Sequence, residues 1–147
     1  MTTLNGGCLC GRVRYTVVAP PKSVSLCHCL HCRKQSGSNR SMNWLVPEGD
    51  LKIVGELSTY RDTGDSGKPV LRQFCGRCGS PIRTLAEVLP GLAVLKAGTL
   101  DEAPAVPPHY ALYTVRAAAW ETEGLVCPSF ERMPTRPAAA SAPPSGE

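Results

Sequence analysis

Seven of the eight cysteines in this 147-residue chain fall into three groups: Cys8-Leu9-Cys10, Cys27-His28-Cys29-Leu30-His31-Cys32 and Cys75-Gly76-Arg77-Cys78. Ligands so spaced would tie distant segments to shared points, which limits the possible folds more than any other feature. In a strand, positions i and i+2 face the same side, so Cys8 and Cys10 can offer two sulfurs to one ion. The two spacers between Cys75 and Cys78 let the chain fold around a metal, and Gly79 can take a positive φ just beyond the second ligand. Two such pairs complete a closed four-sulfur site of the structural-zinc kind. The middle group supplies three thiolates, the number that leaves a reactive zinc with an open position. Spacing alone leaves this partition open, because the first pair can also join two cysteines of the middle group.

The chain starts without a basic stretch followed by an apolar one, and it nowhere approaches the roughly 20 apolar residues of a membrane span. These features predict a cytoplasmic protein with no membrane partner, whose clustered cysteines serve metal or redox chemistry rather than disulfides. Zinc is favoured over an iron–sulfur cluster, which typically takes four cysteines where the middle group has three. A thioredoxin-like pair belongs at a helix N-terminus, but Gly79 and Pro81 block helix growth after Cys78. Arg33 and Gly79 follow the two Cys-x-x-Cys pairs where c-type haem attachment requires histidine. A nucleic-acid partner is not expected, because aromatic residues are 5% and the basic residues are scattered. Gly64-Asp65-Ser66-Gly67 reads as a hairpin turn rather than a nucleophile loop. Gly67-Lys68 is not a phosphate loop, since Pro69 stands where serine or threonine is needed.

The chain holds 14 glycines and 14 prolines, and the longest stretches free of both run from Lys22 to Ser36 and from His109 to Glu123. A helical bundle is thereby excluded. Strands are predicted over Val13 to Ala19, Asn43 to Val46, Leu51 to Val54, Leu57 to Arg61, Val70 to Phe74, Leu92 to Ala97 and Tyr110 to Val115, with turn signals between them. The fold class expected is mainly β: an antiparallel domain of short strands with little helix, spanning residues 1–134. Residues 135–147, rich in proline and alanine and lacking a large apolar side chain, are expected to form a disordered tail.

Three segments carry a resemblance. Gly6-Gly7-Cys8-Leu9-Cys10-Gly11, Cys27-His28-Cys29-Leu30-His31-Cys32-Arg33-Lys34-Gln35-Ser36-Gly37 and Phe74-Cys75-Gly76-Arg77-Cys78-Gly79-Ser80-Pro81 together resemble the glutathione-dependent formaldehyde-activating enzyme family, which also includes centromere protein V. Ala97-Gly98-Thr99-Leu100-Asp101, Pro108-His109 and Trp120 look like later landmarks of that family, so the resemblance covers Leu4 to Pro134. It implies a zinc-stabilised "β-tent" with two zinc ions per chain. Cys8, Cys10, Cys75 and Cys78 match the structural ligands, and Cys27, Cys29 and Cys32 match the catalytic ones. The implied activity is addition of glutathione to formaldehyde, or a related small carbonyl compound, to give S-hydroxymethylglutathione, formally a carbon–sulfur lyase run in reverse.

The chemistry is consistent with this implication. Three thiolates leave divalent zinc with a net negative charge, which suits it less to activating water than to binding and deprotonating an incoming thiol. His28 and His31 flank the reactive group, where an imidazole either relays a proton or hydrogen-bonds a sulfur or carbonyl. His109 either returns to the pocket or serves the fold. Arg33, Lys34 and Arg40 either hold the carboxylates of glutathione or face solvent. Trp44 either packs in the core or lines the substrate pocket. Cys127, before Pro128, reads as a small buried apolar residue. The same scaffold also admits a different small substrate at the open zinc, or a zinc-stabilised binding module without catalysis.

Overall fold

A computed structural model describes residues 2–134; the expected tail at 135–147 lies outside them. The described chain forms strands β1 (Thr2–Gly7), β2 (Arg14–Ala19) and β3 (Ser23–Cys27), helix α1 (Leu30–Ser36), then β4 (Ser41–Pro47), β5 (Leu51–Val54), β6 (Ser58–Thr63), β7 (Pro69–Phe74), β8 (Pro81–Ala86), β9 (Leu92–Lys96) and β10 (Tyr110–Leu112), and a short helix α2 (Ala119–Thr122). The mainly β class is as expected. The chain divides into two compact units: one comprises the residues up to Lys22 with Trp44–Ala105, and the other comprises Ser23–Asn43 with the residues from Val106.

The first unit carries a three-stranded sheet, β1-β2-β5, and the hydrogen-bonded order β4-β9-β8-β7-β6. Both use period-two burial. Tyr15 and Val17 of β2, Ile82 and Thr84 of β8, and Ala93 and Leu95 of β9 are buried on alternate positions, so one face of each strand enters the core. Trp44 and Val46 of β4 are also fully buried. Gly64-Asp65-Ser66-Gly67 is the β6–β7 hairpin turn, closed by the Gly64 N–H on the Lys68 carbonyl at 3.0 Å. Cross-strand side chains reinforce the outer strands: Gln73 donates to Thr59 (3.2 Å), and Arg83 donates to Gln73 (2.7 Å). The Ala97 to Asp101 landmark serves the fold. Thr99 hydrogen-bonds the Tyr15 hydroxyl at 2.8 Å, and the Asp101 carboxylate takes a two-pronged ion pair from Arg14, which lowers its pKa.

The second unit carries the strand pair β10-β3. β3 pairs with β10 in parallel, Cys27 opposite Leu112, an exception to the expected antiparallel pattern. All five β3 residues are buried. The strand therefore has no exposed face to announce it in the sequence, and its Ser23 hydroxyl is satisfied internally, accepting from the Tyr110 hydroxyl at 3.1 Å. Helix α1 begins at Cys29, whose sulfur accepts the Cys32 N–H at 3.3 Å, and ends at Gly37 in the left-handed region.

Candidate metal centres

Cys8 and Cys10 do not lie in a strand, contrary to the sequence-based expectation. β1 ends at Gly7, and the pair sits in a turn closed by the Gly11 N–H on the Cys8 carbonyl (3.1 Å) and the Cys8 N–H on the Val13 carbonyl (3.0 Å). The turn brings the sulfurs together by folding the chain back rather than by strand periodicity. The second pair is framed in the same way: the Gly79 N–H binds the Cys75 carbonyl at 2.8 Å, and Gly79 has the positive φ (81°) anticipated for it. A register slip between Gln73 and Phe74 of β7 redirects the chain immediately before Cys75.

The four sulfurs of Cys8, Cys10, Cys75 and Cys78 lie within 4.8 Å of one another. Cys8 to Cys10 is 3.5 Å and Cys10 to Cys75 is 3.7 Å. A tetrahedral zinc with bonds of about 2.3 Å to sulfur has edges of about 3.8 Å between sulfurs, so this donor set fits zinc. Backbone and hydroxyl groups favour thiolates at Cys8 and Cys78, whereas at Cys10 the backbone bond from Arg12 is outweighed by burial and the neighbouring thiols, which push it up. The Val13 N–H reaches the Cys8 sulfur at 3.2 Å. Ser80, 3.3 Å from the Cys78 sulfur, lowers that thiol to about 5. Ser80 also receives the Leu9 N–H at 3.0 Å, so one hydroxyl links both turns. The sequence reading gave Ser80 no role; its place two residues after the last ligand was the available signal.

Cys27, Cys29 and Cys32 form the other group, again within 4.8 Å. β3 delivers Cys27, Cys29 caps α1, and Cys32 stands one turn along it, so the i to i+3 spacing puts both helical sulfurs on one side. The neighbouring thiols of Cys29 and Cys32, and then burial, push the Cys27 thiol far up. Cys29 is also raised, since Cys32 and burial outweigh the bond from Cys27 that favours its thiolate. Three adjacent sulfurs cannot all ionise unless a cation offsets their repulsion, and a divalent metal does so. This group has three donors among the described residues, and the partition into four and three matches the one the resemblance implies.

Tyr110, Tyr113 and Phe130 pack against this trio and Leu112, and none of the three had been singled out from sequence. Tyr110 and Phe130 meet edge to face at 6.3 Å. Tyr113 is held at a φ of 57°, a left-handed conformation uncommon for a bulky residue. His28 is fully buried; its Nδ1 donates to the Leu112 carbonyl at 3.3 Å, and its Nε2 has no partner among the described residues. His109 serves the fold, its Nδ1 accepting the Val24 N–H at 3.0 Å. His31, Lys34 and Arg40 are exposed, Arg33 is half-buried on α1, and Cys127 is half-buried. Trp44 is fully buried, presents no accessible surface, and its indole N–H has no partner among the described residues.

A mainly β fold that assembles two clusters of cysteine thiols able to hold metal ions defines the class. Within that class the family is settled by comparison: the model described as glutathione-dependent formaldehyde-activating enzyme matches residues 3–116, and the chain belongs to that family. A protein of Halomonas elongata named "Putative glutathione-dependent formaldehyde-activating enzyme" is 33% identical over 111 residues, covering 72% of this chain and 71% of that protein. A crystal structure of a Rhodobacter sphaeroides protein shares the fold, with a TM-score of 0.56 at 19% identity, covering 86% of this chain and 100% of that one.

Proposed function

We propose that this protein is a zinc-dependent enzyme of the carbon–sulfur lyase type, joining glutathione to formaldehyde or a related small carbonyl compound. One observation carries the proposal: the trio of Cys27, Cys29 and Cys32 offers three donors where the other group offers four, the difference that separates an open metal from a closed one. A zinc ion held by that trio would supply the positive charge that keeps a substrate thiol ionised at neutral pH. The aromatic wall of Tyr110, Tyr113 and Phe130 would limit water beside the trio. The thiolate sulfur donates a pair to the carbonyl carbon, the carbon–oxygen π pair moves to oxygen, and that oxygen takes one proton in place of the one the thiol released. The product is S-hydroxymethylglutathione, with no covalent bond to the protein.

Arg33 and Arg40 are assigned to the carboxylates of glutathione, and Cys8, Cys10, Cys75 and Cys78 to the structural zinc. Such chemistry suits the reducing cytoplasm, where glutathione thiol is available. The test is exchange spectroscopy with carbon-13 formaldehyde and glutathione on the zinc-loaded full chain. Acceleration of adduct formation that disappears in Cys29→Ser is expected. Exchange no faster than without protein would overturn the proposal.

A further inference from the structure

Away from the cysteine trio, the second unit has a groove of about 430 Å³ whose walls include Ser38, Asn39 and Arg40 from the turn after α1, and Trp120, Glu121 and Glu123 from α2 and its end. Its volume is in the range of small-molecule sites. Trp120 is 66% exposed, although an indole is highly buried on average. Arg40 is exposed and has no carboxylate partner among the described residues. Glu121 is oriented by the Ala118 N–H, which one carboxylate oxygen accepts at 3.0 Å. The groove therefore combines an exposed guanidinium from the turn after α1 with an indole and two carboxylates from α2 and its end.

We infer that this groove binds an α-amino acid zwitterion, the γ-glutamyl end of glutathione, with Arg40 on its carboxylate, Glu121 and Glu123 around its ammonium, and Trp120 against its methylenes. The inference rests on the proposed function and names the subsite that selects glutathione among thiols. The mixed charge decides which end binds. The glycine end carries only a carboxylate, which Glu121 and Glu123 would repel, whereas the γ-glutamyl end carries both signs within one residue. The span also agrees. Cys29 and Cys32 stand at the start of α1 and the Ser38–Arg40 turn follows its end. The seven residues of α1 measure about 10 Å along the axis, and the seven bonds from the glutathione sulfur to the γ-glutamyl α-carbon reach about 9 Å when extended.

The test uses the zinc-loaded full chain and the emission of Trp120, separable from the buried Trp44 by the Trp120→Phe variant. Glutathione is compared with its analogue carrying a glutaryl in place of the glutamyl group, which lacks only the ammonium, and with 2-mercaptoethanol. Glutathione should shift Trp120 emission, and the glutaryl analogue should bind about 10-fold more weakly. Arg40→Gln and Glu123→Gln should each lower the preference for glutathione over 2-mercaptoethanol by about 10-fold. Absorption of the cobalt-substituted protein independently reports whether glutathione sulfur reaches the metal. If it does while Trp120 emission is unmoved and the glutaryl analogue binds equally well, the groove assignment is wrong and the proposed function stands. If glutathione binds by neither readout, both are wrong.

Discussion

Gly6 faces Tyr15 across the β1–β2 pair, and a Cβ added there would overlap the phenol and lie 2.6 Å from the Thr99 carbonyl oxygen. The glycine is thus a packing requirement ahead of the metal ligands. Gly6→Ala should destabilise the zinc-loaded protein by about 1–3 kcal/mol in urea denaturation, because a backbone carbonyl cannot step aside as a flexible side chain can. Tyr15 gives a pH prediction of its own. Burial pushes its phenol from 10 to about 12, so between those values the unfolded chain has released a proton that the folded chain retains. Stability should fall as pH rises through that window, and below pH 10 the contribution is intact. Tyr15→Phe should cost about 1 kcal/mol at neutral pH through loss of the Thr99 bond, yet lose less between pH 10 and pH 12 than the parent. An equal alkaline loss in both proteins would remove Tyr15 as its cause.

Among the elements, legibility followed local sequence signals. Six of the seven anticipated strands had a polar edge, a β-branched run or a flanking turn, and they appear within a few residues of their expected limits; the last, Tyr110 to Val115, is a strand only to Leu112 before a turn of 3₁₀ helix. β1, β3, α1, β8 and α2 were not anticipated; of these, β3 and α1 lie in the stretch Lys22 to Ser36, visibly free of glycine and proline. β3 is buried on both faces, and α1 is a short helix whose cap is a cysteine sulfur rather than a usual hydroxyl or carboxylate. Together these two elements hold the whole trio. On the outer strands, charge pairs differ by burial. Asp62 of β6 and Arg72 of β7 pair at 2.7 Å with side chains only 12% and 9% exposed, whereas Lys68 and Glu87 are both more than half exposed at 3.8 Å. Asp62→Ala should therefore cost about 3 kcal/mol by removing the carboxylate that offsets a buried guanidinium charge, and Lys68→Ala under about 1 kcal/mol. Chemical denaturation of the two variants side by side checks the contrast; similar losses would show that burial does not separate them.

Across the whole molecule, two groups of sulfur donors in two compact units predict two metal ions of different consequence. Elemental analysis should find two zinc ions per chain. Cys29→Ser should retain the fold and one zinc, while Cys75→Ser should unfold the protein, since a structural metal contributes its binding energy to folding. Equal unfolding of both variants would contradict the division into structural and reactive centres. The cysteine spacing determined by itself that seven sulfurs would meet in clusters, and the glycine and proline distribution determined that strands would carry them, because both are local properties of the chain. Which sulfurs share a centre was a matter for tertiary structure alone. Cys8 and Cys75 are 67 positions apart in sequence, and their meeting depends on chain reversals, a register slip and the Ser80 hydroxyl between the two turns. The same holds for the aromatic wall around the trio and for the groove between Arg40 and Trp120, whose residues become neighbours only when non-local packing closes the chain on itself.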